Sequence, residues 1–241
     1  MDETTKPGQP RLTRREISAA VGGLGWRLIL GTVQTFVLVP SLAEAARVVA
    51  SLAGTVAGAE AAQSLRADVR GDRVVLTLQS PVTGWVTSRE LDLAGQISAL
   101  MTGVGLTTSA DDAAAGRPVT RSVQGLEIAI DALDIPAVRP FWQAVLGYVD
   151  EPGQDGPPSG LVDPAGQGPA VWFQQMDAPR PQRNRIHFDV SVPAEEAAGR
   201  IAVALAAGGR LLSDAEAPAF WVLADPEGNE ACVCTWQGRD T

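Results

Sequence analysis

The chain has 241 residues, 45% of them hydrophobic and 20% charged, with two cysteines, one histidine and a net charge of −9. That charge offers nothing broadly basic to nucleic-acid phosphates or an anionic membrane, and one histidine excludes multi-histidine metal sites and imidazole relays within a chain. The length suits two domains of about 120 residues, each large enough to bury a core.

In chain order, three helix starts share one pattern: Thr13-Arg14-Arg15-Glu16, Ser41-Leu42-Ala43-Glu44 and Thr87-Ser88-Arg89-Glu90. Each puts a hydroxyl at the N-cap and a carboxylate three residues on, so two orphan amides are satisfied reciprocally. The helical spacing that follows predicts helices over 14–22, 42–58 and 88–101. Between them lie β-type runs at Leu28–Val39, Leu65–Arg70 and Val74–Leu78, the last two joined as a hairpin at Gly71-Asp72. This half is expected to form an antiparallel sheet with helices on one face. Residues 105–121, small, polar and without periodicity, are expected to be a linker between domains at 1–104 and 122–241.

The second half repeats itself. Leu126–Asp131 alternates as a strand, Asp134-Ile135-Pro136 opens a helix, and Gly147 stops it. Ile186–Val192 alternates likewise, Pro193 leads into a second helix, and Gly208-Gly209 end it. Asp163-Pro164-Ala165-Gly166 and Asp225-Pro226-Glu227-Gly228 then mark equivalent turns. Aligning the helix stops pairs Leu126 with His187. The overall expectation is an α+β chain whose C-terminal half is a pair of βαβββ modules forming a curved sheet around a cleft. All the net acidity falls after residue 120, where 8 basic residues meet 17 acidic ones, and nine of the twelve aromatics follow residue 140.

No run of about 18 apolar residues is present, since Arg27 and Gln34 interrupt the best one, and the N-terminus lacks the basic-then-apolar order of a signal peptide. Cys232 and Cys234 alternate onto one strand face, poorly placed to bond each other. A reduced, cytoplasmic protein is expected.

Two stretches carry family resemblances. Leu24-Gly25-Trp26, Phe36 with Pro40, Arg73-Val74-Val75-Leu76-Thr77-Leu78 and Gly84-Trp85-Val86-Thr87 make residues 10–102 resemble a pterin-4a-carbinolamine dehydratase. The resemblance implies a His-His-Pro motif and a later histidine, but those positions hold Gln63, Ser64, Leu65 and Pro81. Of the family's acids only Glu90 is matched, and the capping box already accounts for it. Dehydration needs groups that exchange protons, which Gln63 and Ser64 do not near neutral pH.

Phe141-Trp142-Gln143-Ala144-Val145-Leu146-Gly147, Asn184-Arg185-Ile186-His187-Phe188-Asp189 and Asp225-Pro226-Glu227-Gly228-Asn229-Glu230 make residues 123–236 resemble the glyoxalase-like branch of the vicinal oxygen chelate superfamily. The resemblance implies paired βαβββ modules around a cleft, often with a divalent metal. His187 and Glu230 match two of its metal positions; Leu126 and the Ala170–Trp172 stretch, at the other two, offer no donor. Two ligands are too few for firm divalent binding, so the expected cofactor is none, with a metal at His187 and Glu230 as the exception.

Strand alternation places His187 with Arg185, Asp189 and Ser191 on one face, which should look into the cleft, while Ile186, Phe188 and Val190 meet the helices. Candidate catalytic residues are therefore His187, Asp189 and Glu230, with Asp189 orienting the imidazole or raising its pKa. Candidate ligand-binding residues are Trp142, Trp172, Trp221, Gln174 and Arg185, with the aromatics suited to stacking a flat ligand. The expected function is binding of a small molecule, a pterin or another aromatic metabolite, or a metal-independent lyase or isomerase step. In this reading the first half serves assembly or docking and a homo-oligomer is an expected partner, whereas nucleic acid and membrane are not. Two alternatives stay open: a pterin lyase using Glu60 and Glu90, and a metal-dependent glyoxalase or dioxygenase type of enzyme completed by another subunit.

Overall fold

A computed structural model describes residues 12–55, 59–112, 122–153, 160–179 and 186–238. The chain divides into two compact units, residues 1–125 and 126–241.

In the first unit, helix α1 (Arg14–Gly22) begins at the Thr13/Glu16 capping box, with both reciprocal bonds made. Strands β1 (Arg27–Ile29) and β2 (Thr32–Leu38) follow, so the single run expected over 28–39 folds back on itself at Leu30-Gly31. Helices α2 (Leu42–Thr55) and α3 (Ala59–Ser64) come next, then the hairpin β3 (Leu65–Val69) and β4 (Arg73–Leu78). At the start of α2 the Ser41 hydroxyl accepts from the Glu44 amide, while the Glu44 carboxylate turns to Arg47. Helix α4 (Ser88–Gly103) starts at the complete Thr87/Glu90 box, and a short strand β5 (Thr108–Ser109) closes the unit.

The strands make an antiparallel sheet of order β1-β2-β4-β3, with β5 against β2. Val33 and Val37 with Val74, Leu76 and Leu78 supply the sheet side of the core. The helices add Ile17, Val21, Ala45, Val48, Leu52, Leu93, Ala94, Ile97 and Met101. Buried Trp26 donates its indole N–H to Ser98 at 2.9 Å, as a buried polar group requires.

The stretch expected as linker is ordered at its start. Thr108 and Ser109 pair with Val37 and Phe36, and Asp112, 5% exposed, forms an ion pair with Arg73. Small polar residues carry no periodic signal, yet here their backbones extend the sheet. Gly25 makes this docking sterically possible: its φ is +78° and a Cβ there would lie 2.1 Å from the Thr108 carbonyl oxygen. Residues 113–121, the rest of that stretch, lie outside the described residues.

The second unit holds two βαβββ modules. The first runs β6 (Glu127–Ala132), α5 (Ile135–Leu146), β7 (Val149–Asp150), β8 (Gly160–Val162) and β9 (Ala170–Gln175). The second runs β10 (Phe188–Ser191), α6 (Ala197–Ala206), β11 (Arg210–Ser213), β12 (Phe220–Ala224) and β13 (Glu230–Cys234). Their sheets have the equivalent orders β6-β9-β8-β7 and β10-β13-β12-β11, with the β6–β9 and β10–β13 pairs parallel and the rest antiparallel. Helix α5 is capped by the Asp134 carboxylate and ended by Gly147 in the left-handed conformation, the start and stop signals of its sequence.

The α+β class and the paired modules agree with the expectation. Among the described residues each module contributes its own four-stranded ladder to that architecture. The modules are joined by side chains. Trp142, on α5 and 2% exposed, donates to the Asp225 carboxylate at 3.0 Å and meets Phe188 edge-on with centroids 5.3 Å apart. Glu227 accepts from the backbone N–H groups of Leu133 and Asp134 at 2.9 and 2.6 Å.

Candidate functional site

The strand register of the second module decides which side chains share a face. Asp189 lies opposite Cys232 and Ser191 opposite Cys234, while Phe188 and Val190 lie opposite Ala231 and Val233. Phe188, Ala231 and Val233 belong to the core that meets the helices. Asp189, Ser191 and the two cysteines therefore occupy the opposite, open face, as does Glu230, two residues before Cys232. His187 precedes the strand on the Asp189 side. Its Nε2 stands 3.4 Å from Asp189 Oδ1, with half or more of each side chain accessible.

Cys232 completes this group. It is 6% exposed and, with His187 and Asp189, offers donor atoms that all lie within 4.8 Å of one another. Burial pushes its thiol up to about 11, helped by the Asp189 charge and hydrogen bond and by the neighbouring Cys234 and Glu230. Cys232 is thus a protonated donor beside a carboxylate at neutral pH. Neither cysteine forms a disulfide.

The expected candidates separate on this geometry. His187 and Asp189 are brought together on the open face. Glu230 shares that face but is 9% exposed, and it is not part of the His187–Asp189–Cys232 group. Trp172 stands on the open face of the first module at 39% exposure, with Gln174 two residues on and also exposed. Trp142 is not available to a ligand, because its ring is core and its N–H is spent on Asp225. Trp221 lies opposite Val233 and packs partly buried against the core, so it too faces away from the open side. Both look like pocket aromatics in sequence because aromatic content alone does not report which face of an element is covered. Arg185 lies outside the described residues.

Registers also correct the internal alignment. Leu161 pairs with Val171 and Leu223 with Ala231, and both leucines are fully buried two residues before the Asp-Pro turn. On that register Ala170 is the counterpart of Glu230, and Glu127, opposite Ala170, is the counterpart of His187. Aligning on the helix stops gave Leu126 because the path from strand to helix stop is one residue longer in the second module. The exposed Glu127 therefore places one donor where none was expected.

Of the open-face residues, Cys232 has no role in the sequence reading, while Glu127 lies there one residue from the vacant position and so on the opposite face, a slip that the register removes. A signal for Cys232 was present: Glu230, Cys232 and Cys234 alternate, so any face holding Glu230 also holds the thiols.

The metal positions implied by the resemblance are incompletely filled. His187, Glu230 and, on the corrected register, Glu127 offer donors, but Ala170 offers none, and Glu230 is not in the group that His187 forms with Asp189 and Cys232. In the first unit, Ser64, at a histidine position of the dehydratase pattern, donates to Glu90 at 2.8 Å. Glu90 is 1% exposed and accepts as well from the Thr87 N–H and hydroxyl at 2.8 and 2.6 Å. Its carboxylate is occupied by structure. Gln63 and Pro81 are exposed, and the Glu60 side chain lies outside what is described. A shallow groove of about 540 Å³ in this unit is lined by Gly22 to Gly25 with Ser98, Thr102 and Thr108 among others, and carries no ionisable group.

Residues 127–234 match the family model described as a glyoxalase-like domain. This part of the chain is also similar to solved structures. A glyoxalase/bleomycin resistance protein/dioxygenase family enzyme from Burkholderia phytofirmans PsJN is 23% identical, with 45% of this chain and 95% of that one covered and a TM-score of 0.37. A glyoxalase-related enzyme from Fulvimarina pelagi is 20% identical over 46% of this chain and 87% of that one, TM-score 0.37. The fosfomycin resistance protein FosX from Listeria monocytogenes is 13% identical over 46% and 88%, TM-score 0.35. No curated protein matches the chain. Nothing in these matches supports the dehydratase resemblance of the first unit. No described helix is long and apolar enough to cross a membrane.

Proposed function

We propose that the second unit binds a small organic molecule on its open sheet faces and handles its polar group through His187 and Asp189. The observation that carries this reading is the His187–Asp189 pair at 3.4 Å, accessible at the start of β10 in the part of the chain that matches a glyoxalase-like domain. An imidazole beside a carboxylate sets ring nitrogens and acceptor oxygens side by side, so the pair suits a ligand with a carbonyl or hydroxyl and supports lyase- or isomerase-type proton transfer. Trp172, with Gln174 beside it, gives a face on which a flat, aromatic ligand stacks while an amide fixes its orientation. The first unit is read as a docking module, because Glu90 and Ser64 are committed to the fold.

The test is a thermal-shift screen of the full chain against flat aromatic metabolites, pterins included. At least one is expected to raise the melting temperature, His187→Ala and Trp172→Leu removing the gain without lowering the melting temperature of the free protein. Stabilisation that survives both substitutions would place the ligand elsewhere and overturn the reading, as would a panel without any stabiliser.

A further inference from the structure

We infer that His187, Asp189 and Cys232 form a three-ligand site for a zinc-class divalent ion on the open face of β10 and β13. This inference deepens the proposed function, resting on the reading that this face is the working one: His187 and Asp189 would act on the ligand's polar group by holding an ion whose open position that group occupies, in place of direct proton exchange. Three observations carry it. Two of the donors, Asp189 and Cys232, are direct register partners on hydrogen-bonded strands, and His187 immediately precedes β10. The ladder therefore holds Asp189 and Cys232 in place, with His187 one residue before its first pair. His187 Nε2 and Asp189 Oδ1 are 3.4 Å apart. Two ligands about 2.0–2.1 Å from a tetrahedral ion are separated by roughly 3.3 Å, so this edge already has the length of a zinc polyhedron. All three donor atoms lie within 4.8 Å of one another, and a thiolate bound at about 2.3 Å needs edges of roughly 3.6 Å, which small side-chain rotations supply.

The donor set also selects the ion. One nitrogen, one carboxylate oxygen and one sulfur favour a borderline-soft ion such as zinc over magnesium, calcium or manganese, which take oxygen-rich shells. His187 and Asp189 are accessible while Cys232 is buried beneath them. The fourth position therefore opens to the side from which a small molecule approaches. Binding replaces the Cys232 thiol proton, released to solvent, with the ion, and no oxidation state changes. Glu230 stays outside the three ligands, which separates this site from the His187–Glu230 pair that the family resemblance implies.

The experiment uses the full chain and the metal alone. Apo protein is titrated with cobalt(II) as a spectroscopic stand-in, then with zinc in competition with a chromophoric chelator. One equivalent is expected to bind, with a near-ultraviolet thiolate-to-cobalt charge-transfer band and tetrahedral visible absorption. Cys232→Ser should abolish that band. Cys232→Ser, His187→Ala and Asp189→Asn should each weaken zinc by at least tenfold, roughly the scale of losing a supporting contact or more. Glu230→Gln should leave zinc affinity within about twofold, and far-ultraviolet circular dichroism checks that every variant is folded. Cobalt bound without a thiolate band would overturn the inference in favour of an oxygen–nitrogen site. Sub-stoichiometric binding would remove the site altogether, as would a Glu230→Gln loss equal to that of His187→Ala. Because no organic ligand is present, these failures leave the small-molecule screen to stand or fall by itself.

Discussion

Trp142→Phe tests how the two βαβββ modules are held together. The fully buried Asp225 carboxylate accepts from four donors: Trp142 Nε1 at 3.0 Å, the Glu227 and Asn229 amides at 2.9 Å each, and Asn229 Nδ2 at 2.7 Å. Phenylalanine keeps most of the ring packing on Phe188 and Phe141 but deletes the one donor that comes from the other module. Losing a hydrogen bond to a buried charge costs about 1.5–3 kcal/mol, and the smaller ring adds a cavity penalty on the order of 1 kcal/mol. A total of about 3 kcal/mol, at a urea dependence of about 1.5 kcal/mol per molar, moves the unfolding midpoint of this unit down by about 2 M. Urea titration followed by circular dichroism measures the shift. Amide hydrogen exchange then assigns it, with faster exchange expected in α5 and β13 and unchanged exchange in α1 and α4. Adding Asp225→Asn should cost less in the Trp142→Phe background than alone, since the two share one contact. A midpoint shift under about 0.3 M, or equal acceleration of exchange in both units, would refute the idea that this bond joins the modules.

Gly25→Ala should detach β5: the new Cβ meets the Thr108 carbonyl oxygen at 2.1 Å and the residue must hold a φ of +78°, a strain of about 1–2 kcal/mol before any clash. Amide exchange across 106–112 should accelerate, and unchanged exchange there would count against the steric argument. Cys232, whose thiol is pushed up to about 11 by burial and then by the Asp189 charge, should react slowly with thiol reagents at pH 8 in a Cys234→Ser background, and faster once Asp189→Asn removes the charge. The thiol stays protonated in the folded state while an unfolded thiol ionises from about pH 8.5. Its contribution to stability is therefore complete below that pH and lost as pH rises toward 11. A labelling rate that levels off below pH 9 would contradict the shift.

The repeat, the helix caps and the alternation of β10 are local properties, and they were legible in the chain. A capping box needs residues three apart, and Gly147 meets the left-handed conformation that ends α5. Strand alternation likewise put His187 and Asp189 on one face before any contact was known. Trp221 shows where local pattern stops: its own strand alternates equally well with either face inward, and only pairing with Val233 settles that it lies against the core. Glu127 shows the same in register, because counting from a helix stop carries a one-residue difference in loop length into the strand, where it flips the face.

The sequence by itself determined the capped helices, the βαβββ repeat and the alternation within its strands, since caps, turns and periodicity act over a few residues. Tertiary structure alone decided that Cys232 joins His187 and Asp189 in one group, that Trp142 is a tie between modules, and that Glu90, already held by Thr87 in its capping box, also takes the Ser64 hydroxyl. Those are choices among partners far apart in the chain. They depend on strand register and on which buried polar groups must satisfy one another, quantities that no local spacing encodes.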